Sequence, residues 1–424
     1  MGNALSQAID AIVEAELAVS GTGAVVAVIQ GGETVHTKGY GLANVELGVP
    51  VTLDTVFPIC SISKPITATL VMMLVEDRLL NLDAPVRQYL PNFAPDRNAI
   101  TLRNLLTHTS GLANYNASES FLRHEGRLAL PAAERLAYLL EQPINAPPGD
   151  RYVYCNTGYI LAGFIIEAVA GRRFHDVLRE RVFEPCGMTH TVLLDDHGIL
   201  PNRASGYELG PKGLRNSWYQ AMSWLGGAGG IACPVGDLVR WCDAFEAGRL
   251  VNAKSRTEML RPVTLNDGSR FDYGLGWGTG VYHGHTAHLH TGGGFGYACE
   301  LLRFPGSDTT IVLLTNLYLF PFHRVGVAIA RRALGIPEPA STPWPSAPGD
   351  VYAGTYRSRD GTEFKLQTNQ TGLAGLVQCG EHLFHAIDDA EMRYRFSDLS
   401  LKGFATVTVE TPLFPPFVYH RASV

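Results

Sequence analysis

Charge is scarce in this chain: of 424 residues only 17% are charged, and 34 Lys and Arg stand against 40 Asp and Glu for a formal net charge of -6. Without a basic excess there is no reason to expect nucleic acid or an anionic membrane surface as a partner. No run of about 20 apolar residues occurs, so no membrane-spanning helix is expected. The seven cysteines, at 60, 155, 186, 233, 242, 299 and 379, are odd in number and show no C-x-x-C spacing. That pattern excludes a disulfide frame and points to buried thiols. Between Met1 and Val19 the acids Asp10, Glu14 and Glu16 break up the apolar residues, so the basic start and continuous apolar centre of a signal peptide are missing. Read literally, the chain is cytoplasmic; a periplasmic or secreted protein whose leader had been removed would look the same. No cofactor is expected, and nothing in the sequence addresses oligomeric state. What remains, 46% hydrophobic residues in a chain longer than a single core usually requires, is a soluble globular enzyme of two domains.

Three short motifs carry the chemistry. The first is Ser61-Ile62-Ser63-Lys64. A serine hydroxyl is a weak nucleophile until a base takes its proton, and a lysine three positions on shares its helix face. The preceding Val56 to Cys60 reads as extended chain, and Ile66 to Leu80 is apolar almost all round, as in a helix buried in a domain centre. Ser61 then sits at a helix N-terminus, where unpaired amides favour an alkoxide and an oxyanion beside it. The second motif, Tyr154-Cys155-Asn156, lies between a Pro148-Gly149-Asp150 turn and a helical run, Gly158 to Ala170, that Gly171 stops. The third, His290-Thr291-Gly292, ends an extended segment and is followed by Gly293, Gly294 and Gly296. Tyrosine serves as base or proton relay beside cations, and glycines let backbone approach a substrate closely.

Other chemistries compete for the same residues. Cys60 and Cys155 adjoin the motifs and offer a thiol nucleophile. His283, His285, His288 and His290 alternate along one segment, and such side chains share a strand face, which suits a metal-dependent hydrolase. No carboxylate or cysteine lies close by, and His290 is already used by the third motif. His108 belongs to a helix-loop signature and reads as structural. A binding module without catalysis would not keep all three motifs intact.

The order of the three motifs resembles the class C β-lactamase-like serine hydrolases, peptidase family S12, which include D-aminopeptidases, D-amino acid amidases and family VIII carboxylesterases. The resemblance extends through Thr101 to Leu112, Phe183 to Met188 and Tyr273-Gly274-Leu275-Gly276-Trp277, and covers roughly residues 5 to 335. It implies an α+β fold of the β-lactamase and penicillin-binding-protein type: an antiparallel sheet flanked by helices, a helical subdomain carrying the tyrosine, and a cleft between them. By the same resemblance Ser61 attacks a carbonyl, and Lys64 and Tyr154 share its proton. Asn156 either holds Lys64 or a substrate amide, or caps the helix that follows. The backbone amides of Ser61 and Gly293 hold the oxyanion, with Thr291 and Gly292 beside the substrate.

One departure from the lactamase pattern is His290, where many relatives carry lysine. Histidine is largely neutral near pH 7 and offers a hydrogen bond in place of a permanent cation. It is expected to contact the substrate or the Ser61-Tyr154 network without serving as the nucleophile's base. This favours hydrolysis of amides in small peptides or amino acid amides, D-residues among them, through a covalent acyl-enzyme. A carboxylesterase acting on short-chain esters is the alternative, ahead of a β-lactamase.

Three divisions are expected: a hydrolase domain over residues 1–335, a linker over 336–349 with Pro337, Pro339, Pro343, Pro345 and Pro348, and a lipocalin-like β domain over 350–424. In the first, Ala24 to Gln30 and Thr34 to Lys38 form a hairpin about Gly31-Gly32. Residues 61 to about 250 are mainly helical, Ala298 to Arg303 and Thr310 to Leu314 are strands, and a helix runs from about His323 to Leu334.

Overall fold

In the computed structural model, residues 2–337 are described except 19, 95, 96, 98 and 319, and beyond them the strands between 354 and 421. The chain divides into two compact units, Met1–Thr279 with Thr286–Leu334, and Gly280–His285 with Gly335–Val424. Most of the expected proline linker, residues 338–349, lies outside the described residues. Among the described residues no helix is long and apolar enough to cross a membrane.

Seven segments build the first large sheet: β1 (Gly23–Gln30), β2 (Glu33–Asn44), β3 (Val49–Pro50), β4 (Gly278–Tyr282), β5 (His285–Gly294), β6 (Tyr297–Phe304) and β7 (Thr309–Thr315). Their order is β4-β5-β6-β7-β1-β2-β3. The first and last parts of the chain therefore meet in the middle: β1 pairs antiparallel with β7, Val26 opposite Leu313. Alternate residues of a strand face opposite sides. All of β1 except Gln30 is buried, as are all of β6 and β7, so both faces of this sheet are covered.

The covering comes from α1 (Gly2–Leu17), α4 (Val235–Glu246) and α5 (Phe322–Ala333), whereas α2 (Ser63–Glu76) and α3 (Asn156–Ala170) pack against each other. In α1 the buried residues Ile9, Val13 and Leu17 recur every fourth position, one stripe of a helix. This helix was not among the expected elements, and the stripe of three apolar residues is the signal that marks it in the sequence. In α2 every residue from Ser63 to Met72 is buried, which is why its sequence shows no polar face; Pro65 stands in its first turn, where a missing N–H costs no helix bond. Gly171, with φ of 64°, ends α3.

Between these helices the chain is less helical than the sequence suggested. Residues 61–250 also hold small sheets, Phe57–Pro58 pairing with Ile231–Cys233 and the latter with Val192–Leu193, and long irregular connections. Proline, glycine and asparagine dominate those connections, and their hydrogen bonds run to neighbouring segments instead of along a helix. Of the seven cysteines, Cys60, Cys155, Cys186, Cys233, Cys242 and Cys299 are free and buried.

In the second unit, β8 (Gly354–Ser358), β9 (Glu363–Leu366), β10 (Leu376–Gly380), β11 (Leu383–Ala386), β12 (Arg393–Ser400), β13 (Gly403–Glu410) and β14 (Phe417–Arg421) form an antiparallel sheet in the order β9-β8-β14-β13-β12-β11-β10.

One buried side chain ties the first unit's sheet to its insertion. Asn316, fully buried just after β7, accepts from Gly23 N at 2.7 Å, and its amide nitrogen donates to the carbonyls of Leu42, Ala43 and Ser205 at 3.0, 3.2 and 3.0 Å. Replacing it with leucine takes a partner from four backbone groups, of which the Ala43 carbonyl keeps its bond from Ser205 N at 2.8 Å, and each group left unpaired costs about 1–3 kcal/mol when desolvated. We expect Asn316→Leu to lose more than about 3 kcal/mol in urea unfolding; an unchanged midpoint would show that the clamp contributes nothing.

Candidate active site

The nucleophile candidate stands at a sharp corner. Cys60 has φ of 47°, a left-handed conformation that costs a non-glycine residue on the order of 1–3 kcal/mol. It turns the chain from the short strand Phe57–Pro58 into a single 3-10 turn, Cys60–Ile62, that runs on into α2. The corner is held by Ile59 N donating to Ile231 O at 3.0 Å and by Ile231 N donating to Ser63 Oγ at 3.1 Å. The two serines of the first motif are thereby separated: Ser63 is fully buried and bound to backbone, while Ser61 lines a cavity of about 60 Å³.

Lys64 is fully buried, and its amine has three oxygens around it: Ser61 Oγ at 2.9 Å, Asn156 Oδ1 at 2.9 Å and Ala228 O at 2.8 Å. It also stands 4.7 Å from the centre of the Tyr154 ring. Burial disfavours the ammonium and pulls the Lys64 pKa down to about 7, against a smaller opposing pull from Cys60 and Cys155. Tyr154 moves the other way. Its ring leaves 36% of the residue exposed, but desolvation of the hydroxyl pushes its pKa well above the ordinary value, with a hydrogen bond to Ser61 working against the rise. The Cys60 thiol is pushed up by burial to about 12, so it is no thiolate at neutral pH.

Asn156 is the first residue of α3 and does not cap it; the capping position is Cys155, which makes no side-chain cap. Instead Asn156 is fixed on three sides, its N–H donating to Asn114 Oδ1 at 3.0 Å, its amide nitrogen to Asn116 Oδ1 at 3.4 Å, and its oxygen accepting from Lys64. Asn114, Asn116 and the Ala228 carbonyl were not singled out in the sequence. No motif spacing announces them, because the two asparagines act from irregular chain and Ala228, in the short helix Gly226–Gly229, acts through its backbone.

The third motif lies on β5. His290 is buried, its ring centre 6.3 Å from that of Tyr154, and both its nitrogens are engaged: Nε2 with Tyr273 Oη at 2.9 Å and Nδ1 with the Thr291 carbonyl at 2.7 Å. Desolvation, with the nearby Lys64 amine, lowers its pKa to about 3. Gly292 passes directly under the nucleophile, for a Cβ there would lie 2.4 Å from Ile59 O and 3.1 Å from Ser61 N. Gly293, paired with Ala298 of β6, lines the same cavity as Ser61, Asn116 and Asn156. The structure thus gathers Ser61, Lys64, Tyr154, Asn156, His290 and the Thr291–Gly293 backbone. It does not gather the four histidines: His290 is already engaged, and among the described residues no three His, Cys, Asp or Glu side chains form a metal-holding group. A larger cavity, about 320 Å³ and lined by Arg135, Glu167 and Phe174 among others, is separate and contains none of the motif residues.

Gly292→Ala is expected to push Ser61 out of line, with kcat/KM falling about 100-fold, the loss a misplacement near 1 Å brings, and to lower stability by about 1–3 kcal/mol through the forced backbone shift. Unchanged kinetics in that variant would show that β5 does not set the position of Ser61.

Residues 9–335 match the family model described as Beta-lactamase. Penicillin-binding protein 4 of Amycolatopsis lactamdurans is 31% identical over 372 residues, covering 80% of this chain and 94% of its own. A D-aminopeptidase of Brucella anthropi is 31% identical over 317 residues, 74% of this chain and 59% of that protein. Among solved structures, a D-amino acid amidase from Ochrobactrum anthropi SV3 with bound D-phenylalanine superposes with a TM-score of 0.67 at 26% identity, over 78% of this chain and 98% of that one. With the motifs in place on the same architecture, the chain belongs to the beta-lactamase family and is a serine hydrolase.

Proposed function

We propose that this protein hydrolyses amide bonds of amino acid amides or short peptides, D-residues among them, with Ser61 as nucleophile and neutral Lys64 as its base. One observation carries the assignment of the base. Two of the three oxygens around Lys64, Asn156 Oδ1 and Ala228 O, have no proton to give and must receive N–H bonds. A neutral amine has only two such hydrogens. In that neutral form its lone pair faces the third oxygen, Ser61 Oγ, to which the ammonium would donate at 2.9 Å, and Ser61 can pass its proton to Lys64.

The steps follow from that arrangement. Ser61 Oγ bonds to the amide carbon as its proton passes to Lys64, and the carbonyl oxygen takes the negative charge beside the Ser61 and Gly293 amides. Tyr154, kept as a phenol by burial, gives its proton to the leaving nitrogen and takes in its place the proton that Lys64 received from Ser61, whose own oxygen is by then bonded to the acyl carbon. Water then cleaves the acyl-enzyme by the same route in reverse. His290 is neutral, so no fixed cation meets a substrate carboxylate, which favours uncharged amides over penicillin-like acids. The D-aminopeptidase and D-amino acid amidase among the relatives support the substrate class. That residues 350–424 form a lipocalin-like β domain belongs to the same proposal and is supported by the antiparallel order of their strands.

The test is a panel of D- and L-phenylalanine amide, short-chain p-nitrophenyl esters and nitrocefin. The amides should be the preferred substrates, and Ser61→Ala should lose roughly 10⁶-fold in kcat. Since the neutral amine is the active form, kcat/KM should rise as pH increases through about 7, the Lys64 value. Activity on esters alone would replace the amidase by the esterase, and a rate that is flat from pH 5 to 9 would remove Lys64 as base. EDTA should leave activity intact.

A further inference from the structure

The hydrogen bonds about Tyr273 have only one consistent direction. Cys155 N–H points at His108 Nδ1 at 3.0 Å, so that nitrogen is an acceptor and the proton of neutral His108 is on Nε2. His108 Nε2 lies 3.2 Å from Tyr273 Oη and therefore donates to it. At the far end the Thr291 carbonyl can only accept, so His290 carries its proton on Nδ1 and its Nε2 is an acceptor, 2.9 Å from the same hydroxyl. Tyr273 closes the series by donating to His290. The neighbouring Tyr159 hydroxyl spends its own proton on Leu106 O at 2.6 Å, and an imidazole nitrogen is the stronger acceptor for the Tyr273 proton.

We propose, on the basis of the serine-hydrolase reading above, that Tyr273 is a positioning residue for the reaction, its hydroxyl joining His108 and His290 into one directed chain that fixes the Tyr154 loop to the β5 backbone at Thr291–Gly293. The mechanical link is short at both ends. His108, at φ of 59°, accepts from Val153 N through its carbonyl at 2.9 Å and from Cys155 N through its ring, so it brackets Tyr154 in sequence, and its ring lies against the Tyr154 ring at 4.3 Å between centres. At the other end the His290 ring, bonded to the Thr291 carbonyl, orients the peptide that leads to Gly292, on which the Ser61 backbone rests. The phenol that serves the leaving group and the backbone that faces the oxyanion are thus set by one interaction. The charged or titratable groups facing this chain are Lys64, Tyr152, Tyr154 and Tyr159. All favour neutral imidazoles, the tyrosines as uncharged phenols and Lys64 by repulsion.

Two measurements on the full chain test this. Long-range ¹⁵N–¹H spectra of labelled protein, assigned with His108→Asn and His290→Gln variants, should show His108 as the Nε2–H tautomer and His290 as the rarer Nδ1–H tautomer. His290 in the Nε2–H form would overturn the chain. The second readout is the rate at which a fluorophosphonate labels Ser61, followed by mass spectrometry across pH. Tyr273→Phe keeps the ring and removes the hydroxyl. It should label about 10- to 100-fold more slowly, and in the ¹⁵N spectra His290 should take up its second proton at higher pH than in the wild type, because its Nε2 has lost a hydrogen-bond donor. His108→Asn, tolerated at a left-handed position, should keep the Cys155 contact, break the Tyr273 link and slow labelling similarly, while Tyr273 still donates to His290 and leaves its titration in place. Equal labelling rates in wild type and both variants overturn the proposal alone. Absence of Ser61 labelling in the wild type removes the serine-hydrolase reading, and with it any reaction for Tyr273 to serve.

Discussion

Everything in the site depends on keeping one amine out of water. An ammonium taken from water into a protein interior costs several kcal/mol after relaxation, and the protein meets that cost in two ways. It surrounds Lys64 with oxygens on three separate segments, Ser61 in the turn that leads into α2, Asn156 at the start of α3 and Ala228 in the short helix Gly226–Gly229. It also lets the group lose its charge near neutral pH. A group that can be content in either form is what a base for a serine hydroxyl requires, since the proton must arrive and leave without a large change in energy.

The surrounding architecture serves that placement. The β1–β7 pairing joins the two ends of the first unit and leaves β6 and β5 to one side, where Gly292 comes under the nucleophile corner. The left-handed Cys60 and the glycine at 292 belong together: the corner is too tight for an ordinary backbone, and the strand beneath it too close for a side chain. On the opposite wall, burial of the Tyr154 hydroxyl holds a phenol beside Ser61. Lys64 and Tyr154 are thus pushed in opposite directions by the same desolvation, one toward losing its proton and one toward keeping it. Such a divergence separates base from acid in a site with two proton carriers.

How much of this could be read from the residues varies with the range of the interaction. Ser61 and Lys64 are one helical turn apart, and the β1–β2 hairpin is announced by Gly31-Gly32 between β-branched runs, so local spacing sufficed. The α1 helix was equally local, with Ile9, Val13 and Leu17 in register, yet it was not among the expected elements. Asn156 was ambiguous because a helix-capping asparagine and a lysine-holding one look alike in sequence; only the approach of α2 decides between them. His290 was read as offering a hydrogen bond to substrate or to the catalytic hydroxyls, whereas its one N–H goes to the adjacent backbone and its acceptor nitrogen to Tyr273. Tyr273 and His108 stood in plain view within stretches that carried the family resemblance. Their meeting across 165 positions is a product of the tertiary fold and has no signature in either stretch.

The most direct test of this account is the titration of Lys64 itself. The chain has six lysines, Lys38, Lys64, Lys212, Lys254, Lys365 and Lys402, so protein carrying ¹³C at the lysine ε position gives a spectrum simple enough to assign with a Lys64→Met variant. The signal of Lys64 should shift between pH 6 and 8, around the value of about 7 set by its burial, well apart from an ordinary lysine at 10.5. A Lys64 signal that moves only above pH 10 would mean that the amine stays charged at working pH, and the account of a neutral base facing Ser61 would be wrong.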